Sequence, residues 1–505
     1  MPDPLAFDLP REERTVLEEE LLAGFPPSLV TDPGELAAIA AAPKSVLVVI
    51  DDDPTGSQSV AEVPVLTSWE EDDFAWAFAQ ASPLIFVLTN SRSVDAQEAA
   101  RRNRAAVVNA ATVARSTGHS LTFLSRSDSI LRGHFPQETD AIEHALVSIG
   151  APALDGIVLV PAFPSAGRIT VGGVHYLREG ETLVPAAQTQ FARDASFAYT
   201  HSDLREYVEE KTEGRVPAGD VTVIDLTSIR TSAEAIARIV EPAVNGAVLV
   251  ADCVTDDDLR ALCRGLALAE SRGKVLLYRT GPAFVGARVG QVQPEPLDVT
   301  DALAGADERE RGGLVVVGSH VDLTNRQLEA LRTARPDILE IEIDVERLDL
   351  TSRSDDGAAT YLESIVRAIT QGLRVNDVMI RTSRSLRTGA SAEESLRIAR
   401  AVSAGVSAIV HAVASEVRPR FVIAKGGITS NDTASDGLDI RRGTIRGPLL
   451  RGLVSLWQAA EGLARGIPYV VFPGNVGDDE ALVTVVGKLS RHSSTEPSLV
   501  ERQPS

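Results

Sequence analysis

At 505 residues the chain is too long for one ordinary core and suggests two domains, and its 44% hydrophobic and 24% charged composition excludes a disordered or fibrous protein. Its 49 basic and 71 acidic side chains leave a net charge of −22, which argues against nucleic acid or an anionic membrane surface as the main partner. Cys253 and Cys263 are too few for a disulfide framework and too far apart for a cysteine metal site.

In chain order, residues 1–43 read as a solvated lead-in with some helix, for example Glu12 to Leu22. This N-terminus is acidic, without a basic segment followed by an apolar one, and no apolar run reaches the ~18 residues a membrane span requires. A cytoplasmic location is expected. From Val46 onward, apolar runs alternate with helical stretches such as Trp69 to Gln80, Ala96 to Thr117 and Glu138 to Ser148. Strands are expected at Val46 to Ile50, Leu84 to Leu88, Leu121 to Leu124, Ile157 to Val160, Val221 to Ile224, Ala247 to Val250 and Val275 to Tyr278. Such alternation implies βαβ units and a largely parallel sheet. Residues 291–312 hold Pro294, Pro296, Gly305 and the charged run Asp307 to Arg311, and read as a linker that cannot pack as an element. A second α/β set follows over 313–488, with strands at Leu314 to Val317, Ile338 to Ile343, Val378 to Ile380, Phe421 to Ala424 and Tyr469 to Phe472, and then a polar tail over 489–505. The expected fold is therefore α/β with two domains, 44–290 and 313–488, each a mostly parallel sheet flanked by helices, and with the active site in the cleft between them.

In the first domain four strands break off into polar clusters: Asp51-Asp52-Asp53-Pro54-Thr55-Gly56, Thr89-Asn90-Ser91-Arg92, Ser125-Arg126-Ser127-Asp128-Ser129 with Leu131-Arg132-Gly133-His134, and Pro161 through Arg168. The carboxyl ends of parallel strands share one edge, so the clusters converge where ligands of open α/β sheets bind. Arginine suits a bidentate grip on carboxylate or phosphate, and aspartate suits hydroxyl recognition, Mg²⁺ ligation or proton abstraction. A small polyhydroxy acid needs both. His134 is open to three readings: a ligand, a base or a hydrogen-bonded core histidine. In the second domain Gly318-Ser319, Gly426-Gly427-Ile428-Thr429-Ser430 and Gly474-Asn475-Val476-Gly477 follow strands, where glycine lets backbone N–H groups come close to a phosphate. No P-loop motif accompanies them. The stretch Asp51-Asp52-Asp53-Pro54-Thr55 also satisfies the D-x-D-x-T pattern of aspartyl-phosphate phosphatases, with Asp51 as nucleophile and Asp53 as general acid.

On these residues the chain resembles the four-carbon acid sugar kinases, which join an N-terminal sugar-acid-binding domain to a C-terminal nucleotide-binding domain. The matching pieces are Asp52-Asp53-Pro54-Thr55-Gly56, the run Ser125 to His134, Pro161-Ala162-Phe163-Pro164 with Gly167-Arg168, Gly318-Ser319, Lys425 to Ser430 and Pro473-Gly474-Asn475. The chain departs from the family pattern at Ile428, often Glu, at Pro473, often Ser, and by the additional carboxylate of Asp51. The resemblance implies an ATP-dependent kinase with Mg²⁺ that phosphorylates a hydroxyl of an acid such as threonate, erythronate or 3-oxo-tetronate. It implies ATP contacts at Ser319, Gly426, Gly427, Ile428, Thr429 and Gly474. Substrate contacts are expected at Asp52, Arg92, Arg126, Ser127, Arg132, Gly133, His134 and Arg168, with Asp53 or Asp128 as the base. Metal ligands are not assigned, and self-association into a homo-oligomer is left open. The rivals are the phosphatase and a sensor that binds sugar acid and nucleotide without turnover.

Overall fold

The computed structural model describes residues 14–42, 44–306, 312–351, 356–383 and 392–491. Its apolar runs become strands that are almost wholly buried, as expected of parallel strands covered by helices on both faces. The two-residue period of a strand divides their side chains between two cores: Leu47, Val49 and Phe86 enter one, and Val46, Val48, Ile50, Ile85 and Val87 the other. The covering helices begin where side chains satisfy free N–H groups. Asp95 accepts from Gln97 and Glu98 at the start of Ala96–Thr117, and Thr255 and Asp258 form a capping box on Asp256–Ser271.

The fold is two-domain α/β, but among the described residues the two halves share one 15-stranded sheet. Its first block is parallel, in the order Thr222–Ile224, Ala247–Ala251, Gly156–Val160, Leu276–Thr280, Ser120–Arg126, Ser45–Asp51, Leu84–Leu88 and Val63–Leu66. An antiparallel hairpin, Arg442–Leu450 and Val454–Ala459, comes next. The second block then runs Pro468–Phe472, Val422–Lys425, Leu314–Val317, Val378–Thr382 and Leu339–Ile343, again parallel within itself.

Three antiparallel pairings separate the blocks, so their strands point in opposite senses along the ladder. Twist compensates. Six neighbour steps lead from Ser45–Asp51 to Val422–Lys425, and at about 20–25° each they accumulate roughly 120–150°. A rotation of that size would undo most of the reversal, in keeping with the one cleft that strand ends of both blocks line.

Buried polar contacts lock the junction. The Trp457 indole N–H donates to Ser57 Oγ at 3.1 Å, and Ser57 Oγ lies 2.8 Å from Ser455 Oγ. Asp73, fully buried at the start of helix Glu71–Ala79, accepts from Arg442 at 2.7 Å and from Arg441 at 3.0 Å.

Several expectations need correction. The junction strands Val63–Leu66, Arg442–Leu450 and Val454–Ala459 were not anticipated; Pro64 and Pro448 argue against the first two, and the third pairs with the second as its hairpin partner. A second sheet, ordered Val16–Leu17, Thr182–Pro185, Val174–Glu179 and Arg168–Val171, was also missed; Gly172 and Gly173, both at positive φ, make its tight turn. The lead-in is not merely solvated: after that strand and helix Glu18–Leu22, helix Pro33–Ala40 buries Leu36 in the core. Of the expected helix Glu12 to Leu22, residues 12 and 13 lie outside the described residues. The linker packs as well. Gln291 exchanges side-chain bonds of 3.0 Å with the backbone of Ala61, and Asp298 caps the turn Val299–Ala302, which buries Ala302. At the C-terminus, Ser490 is buried against Asp377, and residues 492–505 lie outside the described set.

Burial pushes the Asp73 carboxyl up, but hydrogen bonds from Arg442, Ser68 and Arg441 outweigh it and hold it below its ordinary value of 3.8. Its stabilisation is therefore complete above that value and is lost as pH falls through the lower folded-state value. Asp73→Ala is expected to cost about 2–3 kcal/mol near neutrality, since it strands two partly exposed arginines and removes a helix cap. Chemical denaturation of both proteins should show this gap narrowing below pH 3.8. A gap that stays constant down to low pH would contradict the assignment.

Candidate functional site

The strand Ser45–Asp51 delivers three consecutive carboxylates to the cleft edge, and each meets a different environment. Asp51 is buried, pairs with Arg126 and accepts the Asp53 N–H at 3.0 Å. Asp52 is also buried and takes a two-pronged grip from Arg92, at 2.6 and 3.1 Å. Asp53 reaches the cleft, where Oδ1 accepts from the Thr55 amide and hydroxyl at 2.9 and 2.6 Å and Oδ2 lies 3.3 Å from Arg92. Arg92 gets there because Asn90 takes a left-handed conformation after strand Leu84–Leu88 and starts the turn Ser91–Ser93.

The third cluster follows strand Ser120–Arg126. Arg126 is 2% exposed and spans Asp51 and the Asp53 carbonyl, so it clamps the first loop. Asp128 pairs with Arg132 at 2.6 Å, four residues on. Burial pushes Asp128 up, but Arg92 and Arg132 outweigh it and hold the carboxyl below its ordinary value, so it is ionised at neutral pH. Asp52 goes the other way. Burial, assisted by Glu138, outweighs the Arg92 pairing and raises it to about 7, while Arg92 itself is shifted up and stays charged. Arg168 opens the strand Arg168–Val171, and its buried Nε, like that of Arg126, finds no acceptor among the described residues. Both residues also line the cleft.

In the second half three strand ends lie against one another with no room for side chains. A Cβ on Gly318 would sit 2.1 Å from Thr429 Oγ1, one on Gly474 2.5 Å from Ser319 Oγ, and one on Gly426 3.3 Å from Ser319 Cβ. Gly426 has φ +119°, open to glycine and strained for other residues. The Gly318 and Ser319 amides both donate to the Lys425 carbonyl at 3.3 Å, and Thr324 Oγ1 lies 3.0 Å from Ser319 Oγ and 2.9 Å from the Gly474 carbonyl.

The halves meet at Gly427, where a Cβ would stand 2.8 Å from Asp53 Oδ2. Around that contact lies a cleft of roughly 1200 Å³ of open space. Of the expected residues, Asp53, Asp128, Arg92, Arg126, Arg132, Arg168, Gly427 and Gly474 line it. Asp52 sits behind Arg92, and Ser127 is buried with its amide bonded to the Thr280 carbonyl at 2.8 Å. Gly133 bends at φ +118° so that Asp52, Arg279 and Glu138 close around it. His134 is half-buried, lies 2.9 Å from the Val94 carbonyl through Nε2 and packs edge-on against Phe197. Ser319, Gly426 and Thr429 stand behind Gly427 and Gly474, and Ile428 is 53% exposed beside them. Gln58, Gln293, Arg451 and Leu453 also line the cleft and were missed. Arg451-Gly452 at the hairpin tip was the available signal, hidden because the hairpin was unforeseen.

The phosphatase reading does not survive this geometry. Asp51, its nucleophile, is 1% exposed and held by Arg126 away from the cleft wall. Among the described residues no three His, Cys, Asp or Glu side chains gather as a metal site, and no helix is long and apolar enough to cross a membrane.

Residues 47–288 match the sugar-binding N-terminal domain model, and residues 314–482 the nucleotide-binding C-terminal domain model. A D-erythronate kinase of Heliobacterium modesticaldum is 29% identical over 300 residues, which cover 57% of this chain and 61% of that relative. The chain thus spans about three fifths of the curated relative it matches. Two solved structures share the fold. A Salmonella typhimurium LT2 protein provisionally described as a tRNA synthase superposes with a TM-score of 0.62 at 18% identity, over 88% of this chain and 100% of its own. Haemophilus influenzae protein HI1011 gives 0.56 at 17% identity, over 87% and 99%.

The raised Asp52 carboxyl has a measurable consequence. A carboxyl whose folded value exceeds its unfolded value of 3.8 contributes stability at low pH that is lost as pH rises through about 7. Compared with Asp52→Asn, the wild type should lose stability steadily between those values and hold a constant difference above them. Melting curves of both proteins from pH 4 to 8 check this; a difference that stays flat over that range would show Asp52 to be ionised throughout.

Proposed function

The chain belongs to the four-carbon acid sugar kinase family, and from that premise we propose that it is an ATP-dependent kinase acting on a hydroxyl of a four-carbon sugar acid of the erythronate, threonate or 3-oxo-tetronate type. The observation that carries this reading is the meeting of Asp53 with Gly427, 2.8 Å from Oδ2 to the Cβ position, inside a cleft walled by arginines. A carboxylate able to accept a hydroxyl proton thereby faces a loop whose missing side chains admit phosphate.

Arg132 and Arg168 hold the acid's carboxylate, since both line the cleft and a guanidinium suits a bidentate grip on a carboxylate. Arg92 and Arg126 stiffen the floor through Asp52 and Asp51. The substrate oxygen attacks the γ-phosphorus as the bond from that phosphorus to the bridging oxygen breaks, ADP departs, and the hydroxyl proton passes to Asp53 or Asp128. Positioning and charge neutralisation dominate such transfers, so the arginines and glycine loops matter more than the strength of the base. Where Asp128 takes the proton, Asp53, the cleft carboxylate that meets the glycine loop, would hold Mg²⁺ together with the nucleotide phosphates, as suits a cation that keeps few protein ligands. When bound, Mg²⁺ supplies neutralisation of phosphate oxygen charge.

A coupled ADP-release assay over four- to six-carbon aldonic and oxo-aldonic acids with Mg²⁺-ATP tests the reading. Turnover is expected on a four-carbon acid, and absence of acid-dependent ADP across the panel would overturn it. Asp53→Asn and Asp128→Asn should each lower kcat by about 100-fold or more. Arg168→Gln should raise the acid's KM about tenfold and leave the KM for ATP little changed.

A further inference from the structure

Lys425 ends the strand Val422–Lys425 in the middle of the second block and is 0% exposed. Its Nζ donates to the Pro473 carbonyl at 3.0 Å and sits 3.8 Å from the Phe472 ring centre. Of the other buried cations, Arg126 pairs with Asp51 and Arg288 with Glu270, while Arg279 meets the Arg132 carbonyl and the Phe135 ring. Among the described residues no carboxylate pairs with Lys425. An unpaired buried ammonium is costly, and a sequence that needed only packing would place an apolar side chain there.

Its position suggests what offsets that cost. The Lys425 carbonyl accepts from Gly318 and Ser319, its side chain holds Pro473 at the head of the loop leading to Gly474 and Gly477, and its own chain continues into Gly426 and Gly427. One residue thus ties together the three loops that converge on the cleft. We propose that Lys425 is the positioning residue of these loops and the buried positive charge that a nucleotide's phosphates neutralise. The inference deepens the kinase reading and rests on it.

A titration follows from the same surroundings. The neighbouring strands present Val317 and Phe472 in register with Lys425, and Asp53 meets the loop at Gly427 on the cleft side without pairing with the ammonium. Burial alone brings Lys425 down to about 7. Phosphate anions close to it favour the charged form, so nucleotide binding above that pH takes up a proton, and affinity falls as pH rises through 7.

The test is calorimetric titration of ADP into the full chain at pH 8, in two buffers of different ionisation enthalpy, for the wild type and Lys425→Met, with melting curves of both. The wild type is expected to take up close to one proton per ADP. Lys425→Met should bind ADP about tenfold or more weakly, take up none, and melt at or above the wild-type temperature because a buried amine is replaced by an apolar side chain of similar size. Wild-type binding without proton uptake, or a variant that binds ADP as tightly as the wild type, would overturn the inference and leave the kinase reading intact. A variant that no longer folds would show a purely structural lysine and also overturn it. Failure of the wild type to bind either ADP or ATP would remove the kinase reading and this inference with it.

Discussion

Everything at the cleft depends on how the hairpin Arg442–Ala459 joins two parallel blocks into one twisted sheet. Three antiparallel pairings set the blocks head to tail, and accumulated twist brings their carboxyl ends back to face each other. The ladder between Val63–Leu66 and Arg442–Ile445 crosses the domain boundary, so the halves cannot swing apart as independent bodies without breaking backbone hydrogen bonds. Asp73 with its two arginines and Trp457 with Ser57 hold the same seam. The spacing between Asp53 and Gly427 is thereby a property of the sheet.

Charge is arranged in two tiers. Asp51 and Asp52 are buried beneath the surface and consumed by Arg126 and Arg92; Asp53 and Asp128 remain at the wall. In the low dielectric under the cleft, ionic pairing roughly offsets desolvation and contributes little net stability, but it fixes where the guanidinium groups stand. Five arginines line the cleft against two aspartates, so an acidic chain presents a locally positive site to an anion. Among the described residues, the second half brings Arg451 to the cleft wall, and its glycine-rich strand ends present backbone, hydroxyls and the concealed ammonium of Lys425.

Much of this was legible in the residues. Parallel strands buried on both faces leave unbroken apolar runs, so Val46–Ile50 or Leu314–Val317 announce themselves. The polar clusters after them stand out for the same reason. What stayed hidden has the opposite character. Strand Val63–Leu66 carries Pro64, and Arg442–Leu450 carries Pro448 and two glycines, so local preference argues against pairing that only distant neighbours reward. Ser127 and His134 sit inside the same motif, but only the structure shows Ser127 buried and His134 half-buried beside the Val94 carbonyl.

The sequence by itself determined the α/β class, the two chemically distinct halves and most of the cleft arginines, aspartates and glycines, because each of these is a local pattern of one strand and the turn after it. Only the tertiary structure decided which of three adjacent carboxylates faces the cleft, that the halves share a ladder, that Arg451 joins the wall and that Lys425 is buried without a counter-charge among the described residues. Those depend on long-range pairing and accumulated twist, and a side chain's burial is set by neighbours hundreds of residues away in the chain.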